Sequence, residues 1–167
     1  MWKHLVVWFL TCAAIVLILL WNHGLVLTIT SNDDQRILWR HSVTEGDQFI
    51  IRYTHSVDRT DVDEVIRVGE GELIIDATLY ESFGAGLPST IQDGQTTRRD
   101  GGKVIIENIN LPMPRIDLYI GQVVANHTFM FKGDTIPLHT LSKPGTSIRF
   151  VVSNENLLKR IMGRLMH

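Results

Sequence analysis

The sequence predicts an all-β fold: an antiparallel, sandwich-like domain with an N-terminal transmembrane helix before it and a short C-terminal amphipathic helix after it. Three observations predict this arrangement. The chain opens on a long apolar run, then alternates apolar and polar residues between turn clusters, and ends on apolar residues with helical spacing. The predicted boundaries are 1–23 for the transmembrane anchor, 24–153 for the extracytoplasmic β domain and 154–167 for the C-terminal helix.

The N-terminal run predicts a membrane anchor. From Leu5 to Trp21 the only polar side chain is Thr11, and these 17 residues are at the lower limit for a membrane-spanning helix. Lys3 favours a cytoplasmic N-terminus, which would place the domain on the other side of the membrane. No small-x-small site follows the run, so we expect an uncleaved anchor; a cleaved signal peptide is the alternative. The single cysteine, Cys12, lies inside the run, so we expect no internal disulfide.

Composition limits the classes of function. A length of 167 residues predicts one domain. With 16 basic and 18 acidic residues the formal net charge is −2, so we expect no binding to nucleic acid. No motif in the sequence indicates a cofactor.

Between the two predicted helices, the alternation predicts short strands. Phe49, Ile51 and Tyr53, for example, share one face of one segment. Residues 84–100 hold glycines, a proline and a polar run and predict a long loop, and Pro112 and Pro114 are expected to interrupt the chain. The predicted strands are residues 25–30, 36–41, 49–54, 62–68, 73–82, 103–109, 116–124, 127–131, 136–141 and 148–152.

The C-terminal segment predicts an amphipathic helix. Ser153 or Asn154 can cap its first turn. Two readings of this helix remain open: it packs on its own domain, or it lies on a bilayer surface or a partner, which its basic residues permit. The apolar residues that form one helical stripe are Leu157, Leu158, Ile161, Met162, Leu165 and Met166.

The stretch from Tyr53 to Pro88 carries the candidate chemistry, because it combines an imidazole, a hydroxyl, several carboxylates and a glycine-rich turn. A turn around Asp58-Arg59 would pair Tyr53 with Glu64. His55 would then lie diagonally across from Glu64 on the same face, within reach of long side chains. Such a pair can bind an anion or respond to pH; the alternative is that His55 only fixes the hairpin.

A glycine turn closes the same stretch. Gly84-Ala85-Gly86 follows a predicted strand, but no helix pattern follows it, so it lacks the context of a nucleotide-binding loop. Its amides can still bind a carboxylate. In a meander this turn and the hairpin turn lie at the same end of the sheet. The predicted binding residues are therefore His55, Ser56, Glu64, Gly84, Ala85 and Gly86.

No catalytic residue and no metal ligand is predicted. His55 and Ser56 are neighbours on a strand, so their side chains point to opposite faces, and a triad would need His127 or His139 to reach Ser56. The serine also lacks the G-x-S-x-G context of a nucleophile elbow. No histidine pair has HExxH spacing, and no cysteine lies outside the anchor.

Two segments carry a family resemblance. The segments YTHSVDRTDVDEVIRV and YESFGAGLP resemble a bacterial family known as domain of unknown function 1850, through His55-Ser56-Val57, Glu64 and the residues 84–88. The likeness covers roughly residues 25–150. It implies a small exported or membrane-anchored companion of TRAP-type solute transporters of the TAXI class, and it implies no catalytic residue.

The sequence and the resemblance together predict a membrane-anchored extracytoplasmic binding or accessory module. Its expected partners are membrane transporter subunits, a small anionic solute and the lipid bilayer through the N-terminal helix. The alternative is an envelope hydrolase or metal-dependent enzyme centred on His55-Ser56. A structural envelope protein with no ligand is a third interpretation.

Overall fold

A computed structural model describes residues 2–21, 23–81, 92–122, 125–157, 159 and 161–162 of the chain. The N-terminal helix α1 spans Trp2–Trp21, and a 3₁₀ helix spans Leu138–Thr140. The strands are β1 His23–Ser31, β2 Ile37–Val43, β3 Gln48–Thr54, β4 Asp61–Val68, β5 Leu73–Tyr80, β6 Thr96–Asp100, β7 Lys103–Met113, β8 Ile116–Tyr119, β9 Thr128–Phe131, β10 Asp134–Pro137 and β11 Ser147–Asn156.

The strands form two antiparallel sheets, which confirms the predicted sandwich-like fold. The smaller sheet has the order β2-β1-β11-β8, and the larger has the order β10-β9-β3-β4-β5-β7-β6. Within the larger sheet β3, β4 and β5 are consecutive neighbours, so this part is the expected meander. Each strand alternates its side chains between an inner face, toward the other sheet, and an outer face.

The core lies between the inner faces and has two parts. The main cluster joins both sheets and centres on three aromatic side chains: Phe150 stacks on Phe49 at 5.8 Å between ring centroids, and Phe129 lies 5.5 Å from Phe49. A second cluster lies further along the larger sheet, toward β7. Its fully or almost fully buried members are Val62, Tyr80, Val104 and Ile106.

Helix α1 confirms a helical N-terminal segment. Most of its described apolar side chains are exposed, including Trp2, Phe9 and Trp21. The Thr11 hydroxyl donates to the Trp8 carbonyl at 2.8 Å, so the only polar group of the run is satisfied within the helix. Among the described residues, no helix combines the length and the hydropathy that a membrane crossing requires.

The predicted loop over residues 84–100 is wrong for its last part. Thr96–Asp100 forms β6, which pairs with β7 around a turn at Gly101-Gly102. All five β6 side chains are polar and exposed, so this edge strand shows no alternation of apolar and polar residues in the sequence. It is defined only by its backbone pairing with β7. Residues 84–91 lie outside the described residues.

The predicted chain break at Pro112 is also wrong, because β7 continues through it to Met113. Beyond Glu107 the strand pairs only with β5, so its other edge is unpaired. An unpaired edge tolerates Pro112, which has no N–H to donate. A bulge precedes this part, and Asn108 and Asn110 both adopt positive φ there.

Two further segments differ from the predicted strands. Residues 138–140 form a 3₁₀ turn in which the Leu141 N–H donates to the Leu138 carbonyl at 3.0 Å. At the C-terminus β11 continues to Asn156, so neither Ser153 nor Asn154 caps the final helix. The Asn156 side chain caps it instead, since its Oδ1 accepts the Lys159 N–H at 2.9 Å.

Candidate ligand-binding site

The hairpin between β3 and β4 holds His55 and Ser56 in its turn. The His55 N–H donates to the Thr60 carbonyl at 2.8 Å, and the Arg59 N–H donates to the His55 carbonyl at 2.9 Å. The His55 Nδ1 accepts the Asp58 N–H at 3.4 Å and lies 3.4 Å from the Asp58 carboxylate. The hydrogen bond from the Asp58 N–H therefore braces the turn. Ser56 is exposed.

The predicted pairing of Tyr53 with Glu64 is wrong by two residues. Tyr53 pairs with Val62, and Glu64 pairs with Ile51. The turn is centred one residue earlier than the sequence indicated, since His55 lies opposite Thr60 across residues 56–59, and this moves the pairing by two residues without changing the faces. Glu64 is four residues beyond Thr60, about 13 Å along the strand, so it is not the diagonal neighbour of His55.

Glu64 points into the interior of the sandwich. It shares the inner face of β4 with Val62 and Ile66, which are fully buried, and it lies opposite Thr78 on β5. Burial raises the pKa of Glu64. Burial also raises the pKa of Tyr53, and the nearby Glu64 carboxylate adds to that rise. No described residue forms a hydrogen bond or ion pair with the Glu64 carboxyl, so its neutral form suits this position.

The predicted glycine turn lies outside the described residues. Its residues Gly84, Ala85 and Gly86 fall in the segment 82–91. The strand before it, β5, ends at Tyr80, which pairs with Val62 next to the hairpin end of β4. The chain therefore leaves β5 at the end of the sheet where His55 lies.

A pocket of about 410 Å³ lies at the same end of β3, between this strand and the segments before β9 and β11. Ligand pockets in proteins have volumes of roughly 300–1,000 Å³. The Thr54 N–H donates to the Ala125 carbonyl at 2.9 Å, which holds the segment before β9 against β3. We call this site the His127 pocket; it is lined by Thr54, Ile120, Gly121, Gln122, Asn126, His127, His139 and Pro144.

His127 is the most informative residue of the pocket. Its Nδ1 accepts the Gly121 N–H at 3.2 Å, so the proton of the neutral ring is on Nε2. Burial lowers the pKa of His127, which favours this neutral form. The ring lies 5.6 Å from the Tyr53 ring between centroids. Tyr53, Glu64 and His127 therefore form a group of titratable residues whose pKa values are shifted by burial, and such groups are typical of functional sites.

Two glycines shape the wall of the pocket. A Cβ on Gly121 would lie 2.5 Å from the Ala125 Cβ, and a Cβ on Gly145, at φ +88°, would collide with the Gln122 side chain. Glycine at 121 lets the chain pass close to Ala125; at 145 the Gln122 side chain could move, so there the positive φ is what favours glycine. The turn before β11 thus packs directly against the segment that carries His127.

A family comparison assigns the chain. The family model described as Domain of unknown function (DUF1850) matches residues 49–138, which is more than half of the 167 residues. The chain belongs to the DUF1850 family. No curated protein and no solved structure matches it. In this DUF1850 chain the matched region begins in β3 and ends at Leu138, so it contains the His55 turn, Glu64 and His127.

Ser56, His127 and His139, which a hydrolase would need, lie in the described parts of this DUF1850 domain. There, the Ser56 hydroxyl forms no hydrogen bond with His127 or His139, as a nucleophile and base would require. The same ranges contain no group of three His, Cys, Asp or Glu residues placed to hold a metal ion.

The sequence interpretation missed one buried charge cluster on the outer face of the DUF1850 domain. Asp63 is buried, and its two oxygens accept hydrogen bonds from Arg52 at 2.6 and 2.8 Å. The Lys103 Nζ lies 3.5 Å from the same carboxylate. Burial raises the pKa of Asp63, but hydrogen bonds from Arg52 and the charges of Arg52 and Lys103 outweigh it, so the pKa is lowered overall. Only the observed register, which pairs Arg52 with Asp63, reveals the cluster.

Proposed function

We propose that this DUF1850 chain is a membrane-anchored extracytoplasmic binding module whose His127 pocket takes a small anionic solute. The observation that carries the proposal is the pocket itself, with its neutral hydrogen-bond donors. The described lining residues include no carboxylate; they offer the His127 Nε2–H and the amides of Gln122 and Asn126, whereas the Thr54 hydroxyl donates to Asp61 at 3.3 Å. Such donors favour a carboxylate or a similar anion.

The anchor is part of the proposal. We assign α1 to the bacterial inner membrane, with the N-terminus in the cytoplasm and the sandwich outside. Its exposed apolar side chains support this assignment: Phe9 is 74% exposed and Trp21 is 85% exposed. A soluble surface rarely leaves so many large apolar side chains together in water. Protease treatment of sealed membrane vesicles tests the topology, because only a crossing chain leaves one end protected.

The pocket and the anchor lie at opposite ends of one strand. The His127 pocket includes Pro144, three residues before β11 begins, whereas the other end of β11 pairs with His23 just after α1. A strand of ten residues is about 33 Å long. The pocket would then face away from the bilayer, where a solute or a transporter subunit can reach it. Association with a TAXI-class TRAP transporter rests on the family resemblance.

A ligand screen tests the pocket. Thermal unfolding of the detergent-solubilised full chain is measured against simple monocarboxylates, dicarboxylates and amino acids, with matched neutral amides as controls. We expect at least one anion to raise the melting temperature, and Gln122→Ala to abolish that rise. Gln48→Ala is the matched control, since Gln48 lies in β3 on the outer face, outside the pocket. Stabilisation by no anion, or by neutral amides equally, contradicts the proposal, and hydrolysis of a generic ester would favour the enzyme alternative.

A further inference from the structure

The first and last helices leave the sandwich at the same corner. Strand β1 begins at His23 and β11 ends at Asn156, and these two residues pair with each other. Paired strands lie about 5 Å apart, α1 ends at Trp21 and the C-terminal helix begins at Leu157. The C-terminal helix therefore starts close in space to the end of α1.

The start of the C-terminal helix is fixed by contacts on both sides of it. The Asn156 Oδ1 caps the first turn through the Lys159 N–H. The preceding residue, Glu155, pairs with Gly24 and forms a largely buried ion pair with Arg40 on β2. These contacts tie the base of the helix to the corner of the smaller sheet.

Leu157 at the start of this helix is half-buried, whereas the apolar side chains one turn further on are exposed. Ile161 is 43% exposed and Met162 is 53% exposed, although both belong to the predicted apolar stripe. Lys159 is exposed beside them, and the sequence adds Arg160 and Arg164. A helix that packed on its own domain would bury Ile161 and Met162, so the exposure favours another surface.

We propose that the C-terminal helix lies on the surface of the bilayer that holds α1 and there contacts anionic phospholipids. Ile161 and Met162 enter the boundary between headgroups and acyl chains, and Lys159 lies among the phosphates. Apolar and basic residues on one helix at an interface are the pattern of a surface-bound amphipathic helix. This inference rests on the proposed anchor, because α1 supplies the bilayer at this corner. The second contact would fix the orientation of the sandwich on the membrane.

A fluorescent probe on the full chain tests the contact. In a Cys12→Ser background, Met162→Cys carries an environment-sensitive label, and the chain is reconstituted into vesicles with or without phosphatidylglycerol in phosphatidylcholine. We expect a blue shift at position 162, and quenching by lipids with brominated acyl chains, in the anionic vesicles. Lys159→Glu should weaken docking at least about fivefold, the effect of roughly one basic charge near an anionic surface.

The control position is Lys143→Cys, in the exposed turn before the opposite end of β11. Flotation of the vesicles distinguishes failure of the α1 anchor from failure of the contact between the C-terminal helix and the bilayer. A chain that does not float with the lipid refutes the anchor and this inference with it. A chain that floats while the probe at 162 matches the probe at 143 overturns only the helix contact. An equal shift in vesicles without phosphatidylglycerol overturns the assignment to anionic headgroups.

Discussion

Replacing Arg52 by methionine tests the buried ion pair on the outer face of the larger sheet. The Asp63 side chain is 6% exposed, and Arg52 donates to both of its oxygens at 2.6 and 2.8 Å. After the substitution Asp63 keeps Lys103, which lies 3.5 Å from Oδ2, while Oδ1 loses its described donor. A buried carboxylate is then only partly compensated.

The expected cost follows from these contacts. Hydrogen bonds to charged groups contribute about 1.5–3 kcal/mol each, and breaking a buried ion pair costs about 3–5 kcal/mol. Arg52 is itself 36% exposed and Lys103 remains, so water and the lysine recover part of the loss. We therefore expect Arg52→Met to lower the free energy of unfolding by about 2–4 kcal/mol. Arg98→Met is the matched control: its side chain is 51% exposed, so water screens its ion pairs and the substitution should cost much less than Arg52→Met.

Urea unfolding of the single and double variants measures the effect. The double variant Arg52→Met with Asp63→Leu should be more stable than Arg52→Met alone, because the buried carboxylate is gone and Lys103, whose side chain is 29% exposed, can reach water. The lowered pKa of Asp63 adds a pH test: the stabilisation is present above the unfolded value of 3.8 and is lost as pH falls through the folded pKa. The cost of Arg52→Met should shrink in that window. A cost no larger than that of Arg98→Met, or a double variant worse than Arg52→Met, would refute the reasoning.

Three further predictions concern the interior and the pocket. The raised pKa of Glu64 makes the wild type lose stability as pH rises above 4.5, so Glu64→Gln should become more stable relative to the wild type over that range. If the free energies of unfolding in urea change in parallel with pH in the two proteins, this prediction is contradicted. The lowered pKa of His127 makes the wild type lose stability as pH falls below 6.5, so His127→Asn, whose side-chain oxygen can accept the same N–H, should lose less. If urea unfolding shows the same loss below pH 6.5 in both proteins, His127 does not cause it. Gly121→Ala should cost about 1–3 kcal/mol by collision with the Ala125 Cβ, and adding Ala125→Gly should restore most of it in thermal unfolding; no rescue would show that the collision is not the cause.

The sequence predicted the architecture well because strands that face the core have apolar residues at every second position. The alternation around Phe49, Ile51 and Tyr53 predicts a strand, and β3 contains all three. Strand β6 shows no such alternation, since its five side chains are exposed and only backbone pairing to β7 defines it. The 3₁₀ turn at Leu138 resembles a strand in sequence, because one buried leucine fits either element.

None of the described residues that the sequence predicted to bind, His55, Ser56 and Glu64, lines the His127 pocket. The sequence placed Glu64 on the same face as Tyr53, and the face is correct, but the turn is centred one residue earlier than expected, which shifts the pairing by two residues. Contacts between distant segments left no local signal: the approach of His127 to Tyr53 depends on how the segment before β9 packs on β3. Close passages at glycines, such as Gly121 against Ala125, are likewise visible only after folding.

The nitrogen resonances of the His127 ring, measured by NMR in the full chain, test the proposed anion site most directly. The proposal predicts a neutral ring protonated on Nε2 at pH 7, because Nδ1 accepts the Gly121 N–H and burial lowers the pKa of His127. It further predicts that the anion that stabilises the chain in the thermal screen shifts the Nε2–H resonance saturably. The ring resonances of His41, which packs on Phe131 outside the pocket, should not move. A charged His127 ring, or an Nε2–H resonance that no anion moves, would contradict the account.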